Sequence, residues 1–192
     1  MNGLILAGGQ SSRMGQPKSL ISYHGKPQYQ HTAELLSPYC ERVFISCREE
    51  QKLWFEGYET IPDSAKYGDI GLLNGVLSAF EVSHLESSPT SWFILGCDYP
   101  LLESNDLEQL FQSRNLDGVA TVFYHPDTQF IEPLVAIFEP KAGPLLSHWL
   151  ESGNESLRRF LENQEVQRVL PLHPERLKSI DTPEERRKIL EF

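Results

Sequence analysis

Short apolar runs alternate with amphipathic stretches along nearly the whole chain, and this alternation restricts the fold more than any other feature. Strands are expected at Gly3–Leu6, Arg42–Ser46, Trp92–Leu95, Gly118–Phe123, Leu134–Phe138 and Val166–Leu170. Helical periodicity fits Tyr29–Leu36, Glu50–Phe55, Leu73–Leu85, Leu107–Ser113, Ala142–Leu150, Leu157–Asn163 and Pro183–Leu190. The last of these has its own start signal: Thr182 can cap it, Pro183 suits the first helical position, and Glu185 can close a capping box. Strands that alternate with helices need crossover connections, so the expected class is α/β, with helices layered on a mixed, mostly parallel sheet. Open sheets of this kind bind ligands outside the carboxyl ends of their strands. The residues after Leu6, Ser46 and Leu95 are therefore expected on one rim.

A length of 192 residues suits one domain, and a chain of this size buries about 70% of its unfolded surface. Its 27 acidic and 17 basic side chains give a net charge of −10, which argues against a nucleic-acid or anionic-membrane partner. The three cysteines, Cys40, Cys47 and Cys97, form neither a C-x-x-C pair nor an even framework, so reduced thiols and a cytoplasmic setting are expected. Met1-Asn2-Gly3 lacks a basic leader, and no apolar run approaches the roughly 20 residues of a membrane span. The histidines show no H-x-x-x-H or H-E-x-x-H spacing and no G-x-S-x-G elbow is present, which removes the common zinc and serine-hydrolase readings. Trp54, Phe55 and Tyr58 read as helix packing rather than as a platform for stacking a base.

The chemistry gathers in Leu4–Leu20, L-I-L-A-G-G-Q-S-S-R-M-G-Q-P-K-S-L. The apolar run Leu4-Ile5-Leu6 stops at Ala7-Gly8-Gly9, where adjacent glycines allow a positive φ and a close approach of backbone N–H groups to a ligand. Such a run of amides makes an anion-binding concavity. Ser11 and Ser12 add hydroxyls, and Arg13 and Lys18 add two cations to a chain poor in them. The expected ligand is a nucleoside triphosphate, held by Leu6-Ala7-Gly8-Gly9 together with Arg13 and Lys18. Commoner phosphate motifs do not fit. Gln16-Pro17 separate Gly15 from Lys18, which breaks a Walker loop, and the glycines miss the G-x-G-x-x-G spacing. Pro17 also disfavours a continuous helix.

The second feature is W-F-I-L-G-C-D-Y-P-L-L, from Trp92 to Leu102. Asp98 follows an apolar strand at the ligand rim, where a carboxylate can hold Mg²⁺ that also binds water and substrate phosphates. An Asp before a turn also caps it, and that reading of Asp98 stands beside the first.

The pattern L-A-G-G-x-S-x-R-M-G-x-x-K, from Leu6 to Lys18, resembles the signature of nucleotidyltransferases that activate small molecules by joining them to nucleotides. Its L-A-G-G form looks like the molybdenum cofactor guanylyltransferases, the MobA family. The related cytidylyltransferases typically carry L-A-A-G, so Gly8 falls on the guanine side. The C-D-x-P element at Cys97–Pro100 belongs to the same resemblance. It implies a three-layer α/β/α sandwich with a mixed, mostly parallel sheet, Rossmann-like and of the nucleotide-diphospho-sugar transferase type. Residues 1–192 would be a single nucleotidyltransferase domain, with a nucleotide-binding half at about 1–100 and an acceptor-binding half at about 101–192.

The resemblance further implies Mg²⁺-dependent transfer of GMP from GTP to a molybdopterin-bound molybdenum cofactor, with release of pyrophosphate. Molybdoenzyme-maturation proteins are candidate partners. The catalytic residues would be Arg13, Lys18 and Asp98. Lys18 would meet the α-phosphate, Arg13 and the amides of Gly8 and Gly9 the leaving phosphates, and Asp98 the magnesium. A cytidylyltransferase, or a transferase for another small phosphorylated acceptor, is the alternative.

Weaker matches lie elsewhere. Ile61-Pro62-Asp63 resembles the family's I-x-D element, so Asp63 is a candidate nucleotide contact, or else a turn residue. Gly71-Leu72-Leu73-Asn74-Gly75 resembles G-P-x-x-G with leucine in place of proline. Ser46 stands where relatives place an asparagine. Ile131–Leu134 and Ser156-Leu157-Arg158 match segments near the acceptor pocket, with Arg158 either a phosphate contact or a solvated helix charge. Ser179–Pro183 resembles N-x-N-T-P with the asparagines replaced at Ser179 and Asp181, which leaves helix capping as its expected role.

Overall fold

The structure, a computed structural model, describes residues 1–9, 15–85 and 89–190. Strands β1 (Asn2–Leu6), β2 (Val43–Cys47), β3 (Glu59–Pro62), β4 (Trp92–Gly96), β5 (Ala120–His125), β6 (Phe130–Phe138) and β7 (Gln167–Val169) form one sheet in the order β3-β2-β1-β4-β6-β5-β7. β1 pairs in parallel with β2 and β4, β2 with β3, and β5 with β7. Among the described strands β6 alone runs antiparallel, between β4 and β5. The sheet is mixed and mostly parallel, as the alternation of elements predicts.

Side chains alternate across the strands and so build two cores. Leu4, Ile94, Ala136 and Phe138 point to one face, where α2 (Leu72–Leu85) packs through Leu73, Val76, Leu77 and Phe80. The helices α4 (Ala142–Glu151) and α5 (Leu157–Glu162) complete that layer through Leu146, Phe160 and Leu161. Ile5, Ile45, Phe93, Leu95 and Ile137 point to the other face. There α1 (Gln28–Leu36) contributes Tyr29, Ala33 and Leu36, and α3 (Ser104–Gln112) contributes Leu107 and Leu110. Three layers result. None of the helices described is long and apolar enough to cross a membrane.

The last helix, α6 (Pro183–Leu190), carries the expected cap. The Glu185 amide donates to Thr182 Oγ1 at 3.3 Å, and the Thr182 amide donates back to Glu185 Oε2 at 3.2 Å.

Three elements depart from the sequence pattern. β3 was not expected, because Glu59–Pro62 has four residues and little apolar character; pairing with β2 at the sheet edge makes the strand, and an edge tolerates Pro62. The helix expected at Glu50–Phe55 is a 3-10 helix over Glu49–Trp54, too short for a stable α-helical face. Phe55 is buried beside it and meets Tyr29 edge-on at 5.1 Å, and Tyr58 packs on the same ring, as expected of packing, whereas Trp54 is exposed. β6 starts at Phe130 rather than Leu134. Its register against β5 breaks between the pairs Tyr124–Ile131 and Val122–Ala136, and Pro133, which has no N–H to donate, sits in the break.

Candidate active site

β1, β2 and β4 end level with one another. Leu6 lies opposite Ser46 on one side and Gly96 on the other. The Ala7 amide donates to the Ser46 carbonyl at 3.0 Å, and the Cys97 amide to the Leu6 carbonyl at 3.4 Å. Above these ends opens a cavity of about 350 Å³, lined among others by Ala7, Gly9, Lys18, Ser19, Asp98 and Asp181. That volume is within the range of small-molecule sites. The shared rim is where the sequence puts it.

The glycine pair works differently from expectation. Neither Gly8 nor Gly9 takes a positive φ; among the described residues of this stretch the left-handed one is Gly15, at φ 68°. Gly8 instead permits a close approach, since a Cβ there would stand 3.3 Å from Cys47 Cα. Arg13, with Ser11 and Ser12, lies outside the described residues.

Pro17 leads into a 3-10 turn, Lys18–Leu20, which aims Lys18 at the cavity. Its ammonium is ion-paired to Asp181 and lies 3.9 Å from Asp98 Oδ2. The Lys18 and Asp98 side chains are each 20% exposed and Asp181 is 46% exposed, so the two carboxylates bracket the cation at the cavity wall. Burial pushes the Asp98 carboxyl above its ordinary pKa; Lys18 opposes the rise and Asp181 adds to it.

Asp98 is held by local geometry. A Cβ on Gly96 would collide with Asp98 Oδ1 and stand 3.2 Å from Tyr99 Cε2, so only glycine lets the carboxylate fold back over the strand end. The Ile180 amide donates to the Asp98 carbonyl at 2.8 Å, which brings Ser179–Thr182 to the rim. Asp181 therefore joins the site, beyond the capping role expected for its segment. Its signal in the sequence is an acid in place of an asparagine, just ahead of a helix cap.

Next to Asp98 the Tyr99 hydroxyl donates to Glu132 Oε1, and both residues are buried. Burial pushes the Glu132 carboxyl up to about 7, opposed by the Tyr99 hydrogen bond and reinforced by Asp98. Glu132 occupies the irregular stretch of β6, where the broken register frees it from the ladder.

Of the other matched segments, Gly71–Gly75 and Ile131–Leu134 reach the cavity wall through Leu72 and Leu134, whereas Asp63, Ser46 and Arg158 do not line it. Asp63 caps the end of β3, its amide donating to the Cys47 carbonyl at 2.9 Å; burial raises its carboxyl pKa and Arg48 opposes the rise. Ser46 is buried against α2, where a Cβ on Gly75 would collide with its hydroxyl. Arg158 pairs with Glu162 at 3.4 Å and lies over Phe130, as a helix-surface charge does. Asn74 ties the start of α2 to the preceding loop, accepting from the Ser64 amide and donating to the Gly68 carbonyl, each at 2.8 Å.

Asp98 and Asp181 offer carboxylate oxygens beside an open cavity. This donor set suits Mg²⁺, which takes one or two carboxylates and completes its shell with water and phosphate oxygens. The described residues contain no group of three or more His, Cys, Asp or Glu able to hold a metal.

Residues 3–169 match the model of the MobA-like NTP transferase domain. A molybdenum cofactor biosynthesis bifunctional protein of Synechocystis sp. is 33% identical over 187 residues, 95% of this chain but 52% of that protein, so the chain spans about half its length. A molybdenum cofactor guanylyltransferase of Yersinia pseudotuberculosis is 31% identical over 171 residues, covering 88% of this chain and 84% of the relative. In fold, the chain is similar to molybdopterin-guanine dinucleotide biosynthesis protein A from Archaeoglobus fulgidus, with a TM-score of 0.77 at 23% identity and coverage of 100% and 97%.

Proposed function

The chain belongs to the MobA-like NTP transferase domain family, and from that premise we propose that it transfers GMP from GTP to a molybdopterin-bound molybdenum cofactor, releasing pyrophosphate. The observation that carries the reading is Lys18 bracketed by Asp98 and Asp181 in the cavity at the strand ends. A cation alone would bind any anion. A cation among carboxylates suits a nucleotide that arrives with a divalent metal.

Asp98, with Asp181 beside it, would hold Mg²⁺, which when bound neutralises phosphate charge and orients the displacement. Lys18 exchanges a carboxylate for an α-phosphate oxygen, and its ammonium stabilises the charge that develops there. Arg13 and the Gly8 and Gly9 amides hold the β- and γ-phosphates that leave. The acceptor phosphate is already an oxyanion, so the site needs no general base, and its contribution is position and charge. The nucleotide lies toward the half of the chain at about 1–100. The acceptor enters from the half at about 101–192, from which Leu134 of β6 and Asp181 line the cavity. The unpaired thiols of Cys40, Cys47 and Cys97 suit a reducing cytoplasm.

The test is pyrophosphate release with Mg²⁺, molybdenum cofactor and each of GTP, CTP, ATP and UTP in turn. Release with GTP alone is expected. Release with CTP alone would identify a cytidylyltransferase, and release with none would refute nucleotidyl transfer to this acceptor.

A further inference from the structure

The cavity contains a polar group that neither the family resemblance nor the proposed chemistry uses. Ser19 follows Lys18 in the 3-10 turn, lines the cavity with Lys18, Asp98 and Asp181, and is 1% exposed. Its hydroxyl is buried and has no hydrogen-bond partner among the described residues. Buried hydroxyls in folded proteins are nearly always paired, and an orphan is a cost that asks for an explanation.

The surrounding backbone does not supply one. The Leu20 amide donates to the Pro17 carbonyl at 3.1 Å and the Ile21 amide to the Lys18 carbonyl at 3.2 Å. The Gln28 amide donates to the Ile21 carbonyl at 2.9 Å, and Ser22 bridges Pro27. The turn is thus closed on itself and fastened to the start of α1, which holds Ser19 in place without using its side chain. A fixed, unsatisfied donor next in sequence to a cation at a cavity wall is a donor held ready for an oxyanion once that wall opens.

We propose that the Ser19 hydroxyl is a binding contact, donating a hydrogen bond to a phosphate oxygen of the triphosphate that Lys18 also meets. In the free protein Lys18 is drawn to Asp98 and Asp181, and the hydroxyl is closed off. A polyphosphate that draws Lys18 away from the carboxylates takes up the Ser19 hydroxyl in the same step. The inference rests on the nucleotide reading above, and it adds a donor of neutral charge that survives where salt screens the cations.

The test is Ser19→Ala, which removes the hydroxyl and little else, read by two measurements that a purely structural serine would not separate. Urea unfolding of the ligand-free variant should give a midpoint equal to or above that of the wild type, because an orphan hydroxyl has been removed. Calorimetry with Mg²⁺ and GTP, and with Mg²⁺ and inorganic tripolyphosphate, should show binding about 10- to 100-fold weaker, the loss expected for a hydrogen bond to a charged group. Guanosine, which has no phosphates, should bind both proteins alike. Ser19→Cys, close in shape but a poor donor, should follow the alanine variant in affinity. Wild-type affinity in Ser19→Ala for both polyphosphates would overturn the contact and leave the nucleotide reading intact. A wild type that binds neither polyphosphate would overturn both.

Discussion

Glu132 gives the clearest link from burial to a measurable quantity. Its carboxyl rises from an ordinary 4.5 to about 7 in the folded chain, chiefly because burial disfavours the charged form, with Asp98 adding to the rise and the Tyr99 hydroxyl opposing it. Between those values the folded state keeps a proton that the unfolded chain has released. Stability from this group is therefore fully present below 4.5 and is lost as pH rises through about 7. At 1.36 kcal/mol per pH unit the loss is about 3 kcal/mol, a large part of the stability of a domain. Glu132→Gln cannot ionise, and its amide oxygen can still accept from Tyr99. The assay is urea unfolding of wild type and variant in parallel from pH 4.5 to 8. Taking the difference cancels the titration of every other carboxylate. The wild type should lose about 3 kcal/mol relative to Glu132→Gln across that interval. Parallel curves would show that Glu132 ionises as freely in the fold as outside it, and the argument from burial would fail.

Three further outcomes follow from the same geometry. Lys18→Ala and Asp98→Ala should each lower turnover by about 10²–10³ while leaving the unfolding midpoint near wild type, since each removes a charge contact of the proposed reaction; near-normal pyrophosphate release in either would remove that residue from the proposed mechanism. Arg114 Nε meets Glu139 Oε1 at 2.7 Å, the Glu139 side chain is 2% exposed, and Arg114 also donates to Ser91, so Arg114→Ala strands a buried carboxylate. It should cost about 3–5 kcal/mol in chemical denaturation with no direct effect on the rim chemistry. Gly75→Ala should destabilise by about 1–3 kcal/mol because its Cβ meets the Ser46 hydroxyl; the double variant with Ser46→Ala should regain most of that, and simple additivity would contradict the contact.

The parts of this protein legible in the sequence are those written in local pattern. The strand ending at Leu6, the glycine-rich turn and the acid after β4 each declare themselves within a dozen residues, and parallel pairing then forces them onto one rim. β3 was hidden because four edge residues carry too little periodicity to be read without their partner strand. The contacts that complete the site were hidden for a different reason. Asp181 reaches Lys18 across 163 positions of chain, and Glu132 reaches Tyr99 across 33, so no window of sequence contains either pair.

Asp181 shows why such a contact changes the chemistry rather than merely adding to it. An asparagine here, as in the element that Ser179–Pro183 resembles, would meet Lys18 without charge. The aspartate found here meets it with a full negative charge, next to a second one on Asp98. Among the described residues, the cavity wall then holds two carboxylates against one ammonium. A bare triphosphate entering that wall would face repulsion from the two carboxylates, which a divalent cation or a displaced Lys18 would relieve. On the proposed reading, Lys18 would turn from its carboxylates to phosphate, and Asp98 and Asp181 would then be placed to hold a metal that neutralises phosphate charge. Asp181→Asn should accordingly lessen the dependence of nucleotide binding on Mg²⁺, seen as a smaller ratio of affinities with and without the metal. An unchanged ratio would mean that Asp181 serves Lys18 alone.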